Sequence, residues 1–430
     1  MGREQMTECR ISVALSLVLG LSVLVACSSG GGEETNDIGD PPIGEDVSGT
    51  DGDVDADTEV VEPQTVRVAT FNASLYREES GQLIEDLSDP DREQPGQIAE
   101  IVQIKRPDIL LINEFDYDED HQAAKLFAED FLGVAQGDQE AIDYPYYYAF
   151  SSNTGIASGH DLDGNGVVGD EEGTEDYAND AFGYGLFPGQ YAFAVFSKYP
   201  LAIDDARSFQ HFLWSDMPDN LIPQDFYSEE ALEVFRLSSK NHVDLPVEVG
   251  SHRLHLLASH PTPPAFDGPE QRNVRRNQDE IRLWHDYIRP DEAGYLYDDD
   301  GMEGGLDEEA YFVIVGDLNA DPHDSDEAGA IAALLDDPRT IDPKPSSEGG
   351  QISGETSGGA NEMHEGEHRY DTAQWNPTVG NMRVDYAIPS SNLTVVDSAV
   401  FWPPPDEEYA DLVTATDHRL VWVDVTLGAQ

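Results

Sequence analysis

Two shortages shape this chain. Of its 430 residues only two are cysteines, Cys9 and Cys27. No thiol follows residue 27, which excludes a disulfide framework and a Cys-based metal site from everything downstream. Basic residues are the second shortage: 23 Lys plus Arg stand against 87 Asp plus Glu, a formal net charge of -64. A polyanion of this size repels nucleic acid and anionic membranes at long range unless cations intervene. It also suits a salty or calcium-rich medium, where screening shortens self-repulsion. Long apolar runs are missing as well. The one candidate, Ile11 to Ala26, is too short for a comfortable membrane span. What remains, 39% hydrophobic and 9% aromatic, suffices for one large core or two modest ones.

The apolar run ends in Leu24-Val25-Ala26-Cys27, which resembles a bacterial lipobox with Cys27 as the lipid-bearing residue. Arg3 and Arg10 supply a thin positive flank, diluted by Glu4 and Glu8, and Met6 is an alternative start. Residues 1–27 are therefore read as a lipoprotein signal peptide, ahead of an ordinary signal peptide with a chance cysteine. The expected location is extracytoplasmic, on the outer membrane or cell surface, with the Cys27 lipid as the membrane contact. Residues 28–63 hold Gly, Ser, Pro, Asp and Glu without a single Lys or Arg. That composition cannot bury a core and predicts an acidic disordered tether. The folded domain is placed at residues 64–430.

Within it, apolar runs end again and again in polar residues. Phe312-Val313-Ile314-Val315-Gly316 delivers Asp317, Leu318 and Asn319. In a strand, residues i and i+2 point the same way, so Asp317 and Asn319 are expected to face one site. Val66–Phe71 stops at Asn72, and Asp108–Ile112 at Asn113 and Glu114. Tyr191–Ser197 is a further strand, and Gln97–Lys105 reads as a helix closed by Pro107. Arg253–Ser259 ends at His260, where Pro261, Pro263 and Pro264 forbid continuation. Arg383–Ile388 contains Asp385, and Arg419–Leu427 follows Asp417-His418. Strands alternate with few helices and long loops, which makes the class α/β or α+β. Singly, each polar residue is an ordinary turn former. Asn72, Glu114, His260, Asp317, Asn319, Asp385, Asp417 and His418 together are two histidines, four carboxylates and two amides, an inventory suited to cation-assisted hydrolysis of a phosphoester.

The ordered pieces Thr70-Phe71-Asn72, Ile112-Asn113-Glu114, Ser259-His260, Gly316-Asp317-Leu318-Asn319, Arg383-Val384-Asp385-Tyr386 and Thr416-Asp417-His418 resemble the endonuclease/exonuclease/phosphatase superfamily, the DNase I-like class. The resemblance implies a four-layered α/β sandwich, two packed mixed β-sheets flanked by helices. It implies that Glu114 is the principal Mg²⁺ or Mn²⁺ ligand, supported by Asn72 and Asp417. Asp317 and Asn319 would orient and deprotonate the attacking water. His418, paired with Asp385, would act at the phosphate, and His260 would bond a phosphoryl oxygen or protonate the leaving group. Three departures are mild: Asn113 stands where Gln is commoner, Leu318 where Phe is, and Thr416 where Ser is. The acid that usually orients the first histidine has no evident counterpart.

Other segments lie outside this set. Residues 161–172 fit D-x-D-x-N-G-x₅-E, with Asp161, Asp163, Asn165 and Glu172 offering side-chain oxygens and Val167 its carbonyl. Without flanking helices, this reads as a lone structural Ca²⁺ loop inside an insertion near residues 151–185. His364-Glu365-Gly366-Glu367-His368 matches a zinc-protease motif, but its glycine-rich, apolar-poor surroundings exclude the amphipathic helix that chemistry needs. From Pro269 to about Ile288 a helix carries Arg272, Arg275, Arg276 and Arg282 on one face. Those arginines are read either as a phosphate-docking ridge, with Arg272 and Arg276 foremost, or as a solvated face paired with surplus acids. Lys240 and the loop His211–Tyr227, with Phe212, Trp214 and Phe226, are candidates for shaping specificity. The expected activity is a metal-dependent phosphoesterase acting on nucleic acid or a small or lipid phosphodiester, with no obligate protein partner. The alternative is a non-catalytic, calcium-dependent surface binding protein on the same fold.

Overall fold

The computed structural model describes residues 64–428. The leader, Cys27 and the acidic tether lie outside the described residues. Among the described residues thirteen strands form: β1 (Gln64–Leu75), β2 (Ile109–Phe115), β3 (Tyr146–Phe150), β4 (Phe193–Ser197), β5 (Arg207–Ser208), β6 (His242–Val249), β7 (His252–Ser259), β8 (Tyr311–Asp317), β9 (Ala373–Gln374), β10 (Asn381–Met382), β11 (Asp385–Pro389), β12 (Thr394–Val400) and β13 (Val421–Leu427). They build a six-stranded sheet, β12-β13-β1-β2-β4-β3, a five-stranded sheet, β11-β8-β7-β6-β5, and the small pair β10-β9. Both large sheets are mixed, with β1 parallel to β2 and β7 parallel to β8 among antiparallel neighbours.

The layering follows from side-chain alternation. Val66, Val68, Ile109, Leu111 and Val195 of the first sheet share one core with Val243, Leu256, Val313, Val315 and Ala387 of the second. The intervening residues turn outward to helices. Phe71, Leu110, Ile112 and Phe196 pack with Ile98 and Val102 of the helix Glu93–Lys105. On the other side Leu257, Phe312, Ile314 and Tyr386 pack with Ile281 and Trp284 of the helix Arg272–Tyr287. Both faces of the central strands are buried, which is why they read as continuous apolar runs. Helix, sheet, sheet, helix is the four-layered sandwich. Each large apolar side chain fully buried there contributes about 1.5–3 kcal/mol before chain entropy is counted.

Local differences from the sequence reading have physical causes. The helix expected at Gln97 begins at Glu93, because Pro95 sits in its first turn, where a missing N–H costs nothing. Arg106 ends it in the left-handed region just before Pro107. The helix expected to open at Pro269 starts at Arg272, where Asp267 accepts the N–H groups of Asn273 and Val274. A helix forms at Glu348–Ser357 in a stretch that looked too rich in glycine. There Gly349 and Gly354 press on Trp402 and His368, where a Cβ would meet atoms at 2.3 and 2.1 Å. The H-E-x-x-H segment itself lies outside any α-helix, in agreement with its rejection.

Candidate active site

Strand register assembles the polar residues at one end of both sheets. On the first sheet Asn72 of β1 is in register with Asn113 of β2, and Glu114 follows. On the second, Asp385 of β11 stands opposite Asp317 of β8. Gly316 lets that end close: its φ is +147°, and a Cβ would lie 2.0 Å from Ser259 O of β7. Asn113 rivets the sheets together, its Oδ1 accepting from Asp317 N at 3.2 Å and its Nδ2 donating to Ser259 O at 3.3 Å. Asn113 is thus a positioning residue, and an amide at that place is what the geometry requires.

Asp317 is the hub. Its Oδ2 accepts from Asn72 Nδ2 at 3.1 Å and lies 3.5 Å from His260 Nε2 and 3.7 Å from His418 Nε2. The same Asn72 nitrogen donates to Glu114 Oε1 at 3.0 Å. His418 Nδ1 is 2.9 Å from Asp385 Oδ2, which also accepts from Thr372 Oγ1 at 2.8 Å. The Thr372 hydroxyl oxygen in turn accepts the N–H groups of Val384 and Asp385, so the carboxylate is fixed by its own backbone. Asn72, His260, Asp317, Asp385 and His418 are buried, Glu114 is half-buried and Asp417 is exposed.

Asn319 departs from the simple strand picture. β8 ends at Asp317, and Asn319 is left-handed at φ 52°, a conformation Asn tolerates. Its N–H closes onto Asp317 Oδ1 at 2.9 Å and its Nδ2 donates to Pro261 O, beside His260. Glu114 is left-handed too, at φ 56°, beside a register shift between β1 and β2. Bulges of this kind re-aim a side chain at a site.

The two histidines are set apart by their surroundings. Burial lowers the pKa of His418, but the charges of Asp385 and Asp317 outweigh it and hold the imidazole well above its ordinary range. Burial alone would raise Asp317; His418, His260 and Asn72 instead keep it strongly acidic. His260 is lowered by burial and then by the Lys240 charge, against the pull of Asp317. A cationic His418 and a neutral His260 flank one anionic carboxylate, the separation that acid–base division of labour needs. His260 Nδ1 has no partner, so the acid missing from the sequence is missing in space as well.

The oxygen donors at the opening fit a hard divalent cation. Burial raises the Tyr76 hydroxyl above its ordinary range, and the charges of Glu114 and then Asp417 raise it further. Asp317, Asp385 and His418 also offer ligand atoms within 4.8 Å of one another. In that trio, however, the bonded Asp385 oxygen is already shared by His418 and Thr372. Aromatic rings line the rim: Trp375 stands edge-on to His418 at 5.6 Å, and Tyr76 lies 4.5 Å from Tyr191. Thr372 and Trp375 were not singled out in the sequence, because each sits in a segment without periodic pattern, and Tyr191 was read only as the first residue of a strand.

Two expectations are corrected. Arg276 is buried and donates to Leu237 O and Arg236 O, while Arg272 donates to Leu162 O, so neither forms an exposed phosphate ridge. Carbonyls, rather than surplus acids, are their partners. Phe212 and Trp214 are fully buried core, with Trp214 Nε1 bonded to Asp279. In the acidic insertion, Asp161 and Asp163 meet Asp180, whereas Glu172 is exposed and outside that trio. Asp180 is buried and accepts the N–H groups of Leu162 and Gly169, a role only the folded loop creates. Asn165 and Val167 are both exposed on this loop.

Comparison with known proteins gives the following likenesses. A solved endonuclease/exonuclease/phosphatase from Beutenbergia cavernae aligns at TM-score 0.47 and 16% identity, over 85% of this chain and 72% of that one. Sphingomyelinase C from Streptomyces griseocarneus aligns at TM-score 0.42 and 16% identity, over 84% and 98%. Truncated TDP2 from Caenorhabditis elegans aligns at TM-score 0.41 and 15% identity, over 84% and 97%. No curated protein matches significantly. The profile of the Endonuclease/Exonuclease/phosphatase family matches residues 69–418, from the strand that carries Asn72 to His418 itself, and the chain belongs to that family of phosphoester hydrolases.

Proposed function

We propose that this chain is a divalent-metal-dependent phosphodiesterase that works outside the cytoplasm, held to a membrane by a lipid on Cys27. The observation that carries the catalytic part is the meeting of Asn72, Glu114, His260, Asp317 and the Asp385–His418 pair across two sheets. Glu114, with Asn72 and Asp417, would hold Mg²⁺ or Mn²⁺. That ion, when bound, supplies Lewis-acid polarisation of a phosphoryl oxygen. Asp317, kept anionic, and Asn319 orient the attacking water. His418, held cationic by Asp385, faces the negative charge that develops on the phosphoryl group. His260, neutral, is suited to bond a phosphoryl oxygen or give a proton to the leaving oxygen.

A substrate surface rich in basic residues is absent from the composition, which favours small or lipid phosphodiesters over long duplexes. Extracellular nucleic acid bridged by cations is the competing substrate within the same reading, and phosphate scavenging suits either. Ca²⁺ on Asp161, Asp163 and Asp180 is proposed as structural. The test is turnover of bis-p-nitrophenyl phosphate, p-nitrophenyl phosphate and single- and double-stranded DNA with Mg²⁺, Mn²⁺ or Ca²⁺. Activity that disappears in Glu114→Ala and His418→Ala supports the proposal. A folded protein without turnover in any metal overturns it.

A further inference from the structure

We propose that Glu280 is a positioning residue that seats the His260 imidazole, with Asn277 and Trp284 of the same helix face as its partners. This inference rests on the phosphoesterase reading above, in which His260 works at the phosphoryl group. Counted from Asn277 along the helix Arg272–Tyr287, Glu280 and Trp284 stand at i+3 and i+7, so the three share one face. All three are fully buried. Burial favours an apolar stripe in such a place, and an acid and an amide within it need partners.

His260 leaves β7 into Pro261-Thr262-Pro263-Pro264. Three of those four residues have no N–H, so Thr262 supplies the segment's one backbone donor. Glu280 takes it: Oε2 accepts from Thr262 N at 2.6 Å, while Oε1 accepts from Ser239 N at 2.5 Å. Asn277 Nδ2 donates to Thr262 O at 2.9 Å and to Leu318 O at 3.0 Å. Trp284 Nε1 donates to Ser259 Oγ at 2.9 Å. The chain is thus held on both sides of His260, at Ser259 and at Thr262. The same face holds Leu318, the neighbour of Asp317, whose Oδ2 lies 3.5 Å from His260 Nε2. One rigid element therefore sets the distance between the imidazole and the carboxylate hub.

The chemistry of the contacts calls for an acid at position 280. Its two oxygens receive main-chain N–H groups from two separate segments. An amide of the same shape would turn an NH₂ toward one of them, and an apolar side chain would leave both unpaired. Burying a carboxylate is costly, and space-filling alone does not require one. His260 Nδ1 is buried without a partner, so no acid orients the ring from that side. Orientation falls to the backbone around it, and a shift of about 1 Å in such a group can cost about 10²-fold in rate.

The experiment is a double-mutant cycle on the full chain: parent, Glu280→Gln, His260→Ala and the double variant, assayed on bis-p-nitrophenyl phosphate with Mg²⁺ well below every Tm. Glu280→Gln is expected to lose about 10–10²-fold in kcat. In the His260→Ala background the same substitution should cost no more than about twofold, because the group it positions is gone. A Glu280→Gln protein within about twofold of the parent in kcat overturns the proposal. So does a loss repeated in full in the His260→Ala background, the mark of a merely structural role. Should Glu280→Gln not fold, Asn277→Ala, which releases Thr262 O and Leu318 O, carries the same cycle. Spectra of ring-¹⁵N-labelled histidine, with His260→Ala assigning the signal, read the seating without turnover. The His260 signal should move in Glu280→Gln, and coincidence with the parent overturns the proposal. Absence of turnover in the parent would sink the phosphoesterase reading instead, and the ring signal alone would then decide whether Glu280 seats His260.

Discussion

Asn72 and Asp317 are 245 positions apart in the chain, and their side chains meet at 3.1 Å. One amide nitrogen thereby joins Asp317 on the second sheet to Glu114 on the first, 3.0 Å away. Asn72→Ala should lower kcat/KM by about 10²-fold, since both carboxylates lose their common orienting donor. The stability cost should be about 1–3 kcal/mol, because two charged acceptors lose a buried partner. Steady-state kinetics alongside urea unfolding checks both, and an unchanged kcat/KM would remove Asn72 from the site.

The Asp385–His418 pair should behave as a unit. Asp385→Asn keeps the shape but withdraws the charge that raises His418, so a loss of roughly 10²–10⁴-fold in kcat is expected. Any alkaline limb of the pH–rate profile governed by His418 should move to lower pH. Thr372→Val, which frees the carboxylate without removing it, should cost about tenfold. If the profile of Asp385→Asn overlays that of the parent, His418 is not the group being titrated.

Stability of the metal-free protein should fall toward alkaline pH. His418 is raised above its ordinary value, so its contribution is complete below about pH 6.5 and fades as pH climbs through the raised value. Asp371, pushed up to about 8 by burial and then by Asp321 and Asp324, acts in the same direction, since its folded form favours the proton. Asp317 is held low, so its contribution is present above about pH 4 and lost only in acid. Asp371→Asn should therefore raise stability near pH 9 by about 1–3 kcal/mol, an effect that shrinks as pH falls and is small only below about pH 4. Equal melting temperatures of variant and parent across that range would show that Asp371 carries no such penalty.

Calcium should act through the trio that the fold assembles. Asp161→Ala or Asp163→Ala is expected to abolish a calcium-induced rise in Tm, whereas Glu172→Ala should leave it intact. Asp180→Ala strips the acceptor from the N–H groups of Leu162 and Gly169 and should cost at least about 2 kcal/mol even without calcium. Thermal scans with calcium and with chelator decide between the trio and the linear motif.

Much of the central frame was legible in the sequence. β2, β7 and β8 announce themselves as β-branched and apolar runs that stop at Asn113, His260 and Asp317. The edge strands β3, β5 and β12, with their exposed or polar residues, were not, nor was the interior strand β6, whose Pro246 weakens the pattern. The arginines of the helix Arg272–Tyr287 misled for a related reason. A helical face full of charge looks solvated in one dimension, yet loop 236–237 folds over it and supplies the carbonyls that Arg276 needs.

The sequence by itself determined which residues could do chemistry, because residue type sets charge and donor capacity, and where the apolar runs place them along the chain. It also determined the absence of thiol chemistry and the acidic field. The tertiary structure decided which of these residues meet. Register between β8 and β11 sets Asp385 against Asp317, and the packing of two sheets brings Asn72 within reach of Asp317. It also decided that Asp180, outside the linear motif, meets Asp161 and Asp163. Such facts depend on separations of hundreds of residues closed by burial of apolar surface, and local sequence carries no record of them.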